Sequence, residues 1–396
     1  MTTSQKQQQQ QQQQQGQKIS SRSAAASTAA PAAASNPPAA KARTLSQTEE
    51  RAGLLRTLEE HQFELPLAAI AILWALYLLG VPGIDQFLFM SHGRYVVTQD
   101  STIPQYLYGI GKGDIYFVIY LILVITAARG LAFVSLRWFA GTRFIKIRSA
   151  SKRTRFAEQA WAALYYTFQF AYGVYLAYYS PYWFDVKHAF IGYPHNLHTF
   201  AFKLYYLTCT AFWLHMFFVI HVEKRRKDHN QMLVHHIATT GLLIGSYYTS
   251  YVRVGHIVQT LFDAADIWLS TAKVFRYAGF STFCDILFGG FVLTWLITRH
   301  FMFGYVWYAT AYLVDDYVPY NWDPENGSYY TVNTKRVFYV LFTALMVLIH
   351  WWFLLIVRLI RKVLSGKNVD DNRSDADDVD DEPEITADTI KRSKNE

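Results

Sequence analysis

Cysteine is scarce in this chain, with two among 396 residues, Cys209 and Cys284, both inside apolar runs. Two such residues provide neither a disulfide framework nor a Cys-based zinc site. Charge is also thin, at 17% of residues against 52% hydrophobic and 17% aromatic. It is unevenly spread as well. Residues 370–388 hold ten acidic residues and one basic, so a chain of net charge +7 is strongly basic elsewhere. Those basic residues stand in short stretches between apolar runs, a pattern of membrane topology rather than nucleic-acid binding. The first 60 residues lack an apolar stretch, so no cleavable signal peptide is expected and the first apolar run acts as a retained targeting signal.

What the chain does have is long apolar runs. Residues 1–60 open with nine consecutive Gln at 7–15 and continue in Ser, Ala and Pro, a composition that forms no packed core and reads as a disordered tail. Apolar runs follow at about 64–83, 115–137, 158–179, 201–222, 234–253, 255–277, 282–307 and 337–359. Each is near the ~20 residues that a helix needs to cross the hydrocarbon core. The expected fold is therefore an all-α polytopic membrane protein of about eight transmembrane helices. The turn between the fifth and sixth is placed at Val254-Gly255. Four sections are expected: a tail over 1–60, N-terminal helices and loops over 61–151, a main helical unit over 152–362, and an acidic tail over 363–396.

Charge sets the orientation. Six Lys or Arg lie between Arg143 and Arg155, four in a row span Lys224 to Lys227, and Arg358, Arg361, Lys362 and Lys367 follow the last run. The alternate loops hold one or two each. The positive-inside rule then puts both termini in the cytosol. The sequon at Asn326 falls in a lumenal loop and is an expected glycosylation site, while that at Asn372 falls on the cytosolic side.

The fifth and sixth runs carry the chemistry. They read His235-His236, Thr239-Thr240, Ser246-Tyr247 and Arg253-Val-Gly255, then Asp263-Ala-Ala-Asp266, Ser270, Lys273 and Tyr277. Ionisable groups inside a span are expensive and mark function by default. His235, Thr239, Leu242 and Ser246 share one helix face, and the two Asp share another. Alone, the His pair reads as interfacial residues reaching for headgroups, and the Asp pair as structural partners of Arg253 or Lys273. Together they favour a polar cavity, catalytic or conducting. With ~1.5 Å of rise per residue, Lys273 lies level with the His pair and Asp263 roughly 15 Å deeper, near Ser246.

The stretch from His235 to Tyr277 resembles the longevity-assurance motif of ceramide synthases: a His pair, Ser-Tyr, Arg-x-Gly, Asp-x-x-Asp and a Lys before an aromatic residue. The segment Arg155-Phe-Ala-Glu158-Gln-Ala-Trp161 resembles the opening of the surrounding TLC domain, and the likeness covers roughly 152–362. Phe262 stands where many animal members carry a His, and there is no homeobox-like insert. The resemblance implies a TLC-type helical bundle around a cavity. It also implies transfer of a fatty acyl group from acyl-CoA, a co-substrate, to the amine of sphinganine or phytosphingosine, without metal or bound cofactor.

On that resemblance His235, His236, Asp263 and Asp266 are the catalytic candidates. A His serves as general base or accepts the acyl group itself, and the family's covalent step is carried to His235. The carboxylates orient a His, bind the sphingoid amine or stabilise its charge. Ser246, Tyr247, Arg253, Lys273 and His215 are substrate-binding candidates, with His221 near the same cavity. His300 is expected toward the lumenal side and His350 as a packed or interfacial residue. An apolar tunnel between helices is expected to hold the acyl chain, and Lys224–Lys227 could attract CoA phosphates. Further expectations are an endoplasmic-reticulum membrane, a small single-span accessory subunit and a homodimer or heterodimer with a paralogue. Ser374 is an expected phosphorylation site, and Lys391 to Glu396 loosely resembles a retrieval signal.

Three rival readings differ in class. A di-iron desaturase needs repeated His clusters that are missing. A proton-coupled transporter using the Asp pair would show an inverted repeat. A non-enzymatic TLC protein, such as a lipid sensor or translocation accessory factor, would share the fold without needing both the His and the Asp pair.

Overall fold

The computed structural model describes residues 61–97, 103–222 and 228–365. The Gln-rich tail, the Lys224–Lys227 cluster and the C-terminal segment with Asn372, Ser374 and Lys391 lie outside the described residues.

A helix forms at each of the eight apolar runs. These are α1 (Glu64–Leu78), α2 (Asp114–Gly141), α3 (Ala150–Tyr178), α4 (Phe200–Val222), α5 (His229–Tyr248), α6 (Val252–Tyr277), α7 (starting as Ser281–Trp295) and α8 (Val332–Leu364). By length and composition four segments suffice to cross a membrane: Asp114–Gly141, Phe200–His221, Ser281–Asp316 and Val332–Lys362. Helix α1 is apolar but shorter. Helices α3, α5 and α6 are richer in polar residues, and their setting explains why. α6 packs against α3, α7, α5 and α4, and the sequence of contacts α3–α4–α5–α8–α7–α6–α3 closes a ring. A helix surrounded by protein can carry polar groups that lipid would not tolerate.

Helices in lipid gain little from apolar burial against one another and depend on close approach. Glycine permits it at two points on α6. A Cβ on Gly255 would overlap the Tyr206 hydroxyl of α4 and lie 2.9 Å from Ser246 Oγ. One on Gly173 of α3 would lie 2.5 Å from Thr260 Oγ1 of α6. Gly255 is thus a packing residue in the first turns of α6, which corrects the expectation of a turn at Val254-Gly255. The reversal lies at Thr249–Tyr251 instead. Ser250 takes the left-handed conformation there (φ 62°), and the Tyr251 amide donates to the Ser246 carbonyl at 2.8 Å. Ser250 Oγ also donates to the Gly327 carbonyl, fastening this turn to the last long connection.

α7 also differs from expectation. The apolar run was bounded at 307, but the helix continues through wide π turns at Leu296–Met302 and Ala309–Leu313, with α-helical Phe303–Tyr308 between. The extension puts Arg299 near the middle of the rod rather than toward one end. The connections add small antiparallel pieces to an otherwise mostly helical fold. One joins β1 (Gly93–Val96), β2 (Gln105–Gly109) and β3 (Leu197–His198), and the other pairs β4 (Asn321–Asp323) with β5 (Ser328–Tyr330). The loop before β3 is tightly held: burial pushes the His195 imidazole down to about 4 and that of His198 to about 3, with Arg253 adding to both shifts.

Candidate active site

Inside the helical ring lies a polar cavity of about 190 Å³. α5 supplies His235 and His236, α6 supplies Asp266, Ser270 and Lys273, α7 supplies Trp295 and Arg299, and Trp213 and Trp352 come from α4 and α8. The two histidines differ in their restraints. The Nδ1 of His236 sits 2.7 Å from the Met232 carbonyl one turn back. A carbonyl only accepts, so Nδ1–H donates and Nε2 keeps the lone pair. His235 is held by shape instead. Its ring meets Trp213 edge-on at 5.3 Å and Trp352 at 5.4 Å, and among the described residues no hydrogen bond engages either nitrogen.

The two carboxylates, three residues apart, have separate tasks. Asp266 faces the cavity and receives Arg299 Nη2 at 2.8 Å. The same guanidinium nitrogen donates to the Phe262 carbonyl at 2.9 Å, and the guanidinium lies 4.2 Å over the Trp295 ring and 4.8 Å over Phe262. Stacking of this kind suits the planar, weakly hydrated guanidinium. Asp263 is off the cavity wall and only 1% exposed. Its Oδ1 accepts from Gln259 Nε2 at 2.8 Å, and Gln259 Oε1 accepts in turn from Trp213 Nε1 at 3.0 Å. The second aspartate therefore reaches the histidines only through two intervening side chains.

Beyond Gln259 is a smaller pocket of about 50 Å³, lined mainly by apolar and aromatic side chains, with Thr239, Ser246, Gln259, Thr310 and Lys335 also on its wall. Thr239, Leu242 and Ser246 line it from α5, Val258, Gln259 and Phe262 from α6, and Phe338 and Phe342 from α8. The face read from the sequence as His235, Thr239, Leu242 and Ser246 thus runs from the polar cavity into the apolar pocket.

The other predicted residues are placed as follows. Lys273 lies on the cavity wall with the histidines. Ser246 lines the apolar pocket and is hydrogen-bonded to Tyr206 at 2.6 Å. Tyr247 turns away: its hydroxyl donates to Asp114 on α2, whose carboxylate also pairs with the buried Lys203 at 2.6 Å. Arg253 holds the loop before α4, donating to the His188 carbonyl and facing Tyr182. His215 is bonded to Thr126 of α2 and is off the cavity wall. His221 bonds the Phe217 carbonyl. His300 and His350 meet at 4.8 Å on an apolar groove between α7 and α8. Asn326 is exposed at a turn, where its amide donates to Asp323. Sequence reading missed Arg299, Trp213 and Gln259. Arg299 had a usable signal, being a cation inside an apolar run; the other two had none.

The TLC domain family matches residues 155–358. The sphingosine N-acyltransferase lag1 of Schizosaccharomyces pombe is 34% identical over 335 residues, covering 82% of each chain. The chain belongs to the TLC-domain family of ceramide synthases. A ceramide synthase of Arabidopsis thaliana, LOH2, is 32% identical over 61% of this chain and 82% of its own. The ceramide synthase LAG1 of Saccharomyces cerevisiae is 29% identical over 68% and 66%. The residues lining the cavity all fall within the matched span 155–358, except for Arg129 and Phe133 of α2.

Proposed function

We propose that this family member is a ceramide synthase, moving a fatty acyl group from acyl-CoA to the amine of sphinganine or phytosphingosine. The observation that carries this reading is the placement of His235. Its nitrogens are unengaged at the cavity wall, and its helix face leads straight into an apolar pocket. A nucleophile for a thioester needs an available lone pair, and its acyl chain needs a dry channel.

The balanced reaction has two steps. A His235 nitrogen attacks the thioester carbonyl; the new N–C bond forms as the C–S bond breaks, and the proton on the other ring nitrogen passes to the leaving CoA thiolate, giving a neutral acyl-imidazole and the CoA thiol. The sphingoid amine, deprotonated, then attacks the acyl-imidazole; an amide C–N bond forms and the imidazole leaves. The Nε2 lone pair of His236 takes the proton that the amine loses and passes it to the departing His235 imidazole. Overall, an amine proton replaces the one that His235 gave to the CoA thiol. Asp266, oriented by Arg299, faces the incoming ammonium group and favours its binding. Asp263 acts at one remove, as a positioning residue for Gln259 and Trp213.

The wider setting follows the same reading. All eight helices span the endoplasmic-reticulum membrane, both termini face the cytosol, and residues 152–362 form the catalytic unit. The His pair then opens toward cytosolic acyl-CoA, and Asn326 lies in the lumen where it can be glycosylated. A single-span accessory subunit and dimerisation complete the assembly.

The test is N-acylation in microsomes from ceramide-synthase-deficient yeast expressing the chain, with labelled sphinganine and a series of acyl-CoAs. Wild-type chain should make ceramide. His235→Ala should lose activity by about 10²–10⁴-fold, the usual contribution of an acid–base or nucleophilic group. Absence of ceramide from the wild type, with the accessory subunit supplied, would overturn the reading. Full activity in His235→Ala would overturn the site.

A further inference from the structure

We infer that Trp213 and Gln259 form an internal door between the polar cavity and the apolar pocket, and that this door sets how readily long acyl groups are accepted. The inference rests on the reading of His235 as acyl acceptor and concerns what happens to the chain once attached.

Four observations support it. Trp213 lines the cavity and Gln259 lines the pocket, so the pair stands between the two spaces. The N–H···O bond joining them, at 3.0 Å, bridges α4 and α6 across that boundary. The amide cannot be turned around: the indole N–H can only donate, so Oε1 faces Trp213 and Nε2 faces Asp263. All three side chains are buried, at 5%, 4% and 1% exposure, where an unmade hydrogen bond is costly. The bond is therefore a latch rather than a loose contact.

The opposite jamb is Thr239 on α5, one turn beyond His235 and on the same face. Its hydroxyl is buried, without a hydrogen-bond partner among the described residues. An acyl group on His235 that extends along this face must pass between Thr239 and Gln259. The pocket beyond has about 50 Å³ of space, room for only a few water molecules at ~10–15 Å³ each. A long chain cannot lie there unless side chains move, and the latch is the polar contact that opposes the movement. A butyryl chain is shorter than the ~5.4 Å turn between His235 and Thr239 and does not reach the door; a palmitoyl chain must cross it.

The experiment compares kcat/KM for butyryl-CoA and palmitoyl-CoA with sphinganine, in microsomes of the full chain and of two variants. Trp213→Phe keeps an aromatic wall but removes the N–H that closes the latch. It should raise the palmitoyl-to-butyryl ratio about fivefold, the rate equivalent of one neutral hydrogen bond. Thr239→Leu thickens the jamb and should lower the same ratio. Opposite shifts support the door, because a general loss of packing would lower both substrates together. An unchanged ratio in both variants overturns it while leaving acyl transfer intact. If the wild type transfers neither acyl group, the acyl-transfer reading itself falls and the door with it. Should Trp213→Phe fail to accumulate, Gln259→Met breaks the same bond at nearly constant volume and carries the same expectation.

Discussion

The polar cavity and the apolar pocket share one face of α5, yet their walls have little in common. The cavity sets an ion pair, two imidazoles and Lys273 among tryptophans, whereas the pocket is mostly Leu, Val and Phe with Lys335 as its one charged residue. The single turn from His235 to Thr239 separates a place where charge is managed from one where water is excluded. A bilayer enzyme that joins a water-soluble thioester to a lipid amine needs both environments in contact without mixing them. Strong electrostatics require a preorganised polar wall, and an acyl chain requires the opposite.

Arg299→Leu should have the largest effect on this division. It leaves Asp266 facing the cavity without its cation; removing one partner of a fully buried pair costs about 3–5 kcal/mol, and the 24% exposure of Asp266 lowers that figure here. Thermal unfolding in detergent should show a marked loss. The double variant Arg299→Leu with Asp266→Asn should recover part of it, since no charge is then stranded. A double variant no more stable than the single would mean that stacking on Trp295 and Phe262, not pairing, holds the arginine in place.

On the apolar side, Leu242→Trp adds bulk to the pocket without touching a polar group. Overpacking costs about 1–3 kcal/mol, felt here mainly by the chain that must share the space. Palmitoyl transfer should fall by about tenfold relative to butyryl transfer, read from the same microsomal assay. Equal loss for both acyl groups would place the acyl chain elsewhere.

The smallest effect is expected at Tyr247, which belongs to neither chamber. Tyr247→Phe removes one hydrogen bond to Asp114, which keeps its Lys203 partner. Stability should fall by about 1 kcal/mol with N-acylation unchanged. Loss of activity at full stability would return Tyr247 to the substrate site.

Much of this contrast was legible in the sequence. Helical periodicity gave the His235–Ser246 stripe, which runs along the walls of both spaces because α5 is regular, and rise per residue put Lys273 near the histidines, with which it shares the cavity wall. The unequal fates of Asp263 and Asp266 were hidden, because the residue that separates them, Arg299, arrives from another helix. Its depth depends on α7 outlasting its apolar run. Trp213 and Gln259 gave no warning, since an uncharged amide and an indole are ordinary in such helices until they are seen joined. Gly255 was misread for a physical reason: glycine marks turns and close packing alike, and here Ser250 takes the strained turn conformation while Gly255 makes room for Tyr206.

The π turns of α7 have a consequence for comparing this chain with its relatives. A π turn closes i→i+5 hydrogen bonds and so accommodates an extra residue in the helix. Past Leu296–Met302 the rod is therefore out of phase with its own beginning by about one residue's rotation, ~100°. A helical wheel drawn straight through 281–316 rotates Phe303 and Val306, which are both buried, by about that angle. An alignment with a relative whose helix is regular here should open a one-residue gap between 296 and 302, and without that gap every position beyond it would be compared with one turned by ~100° around the helix.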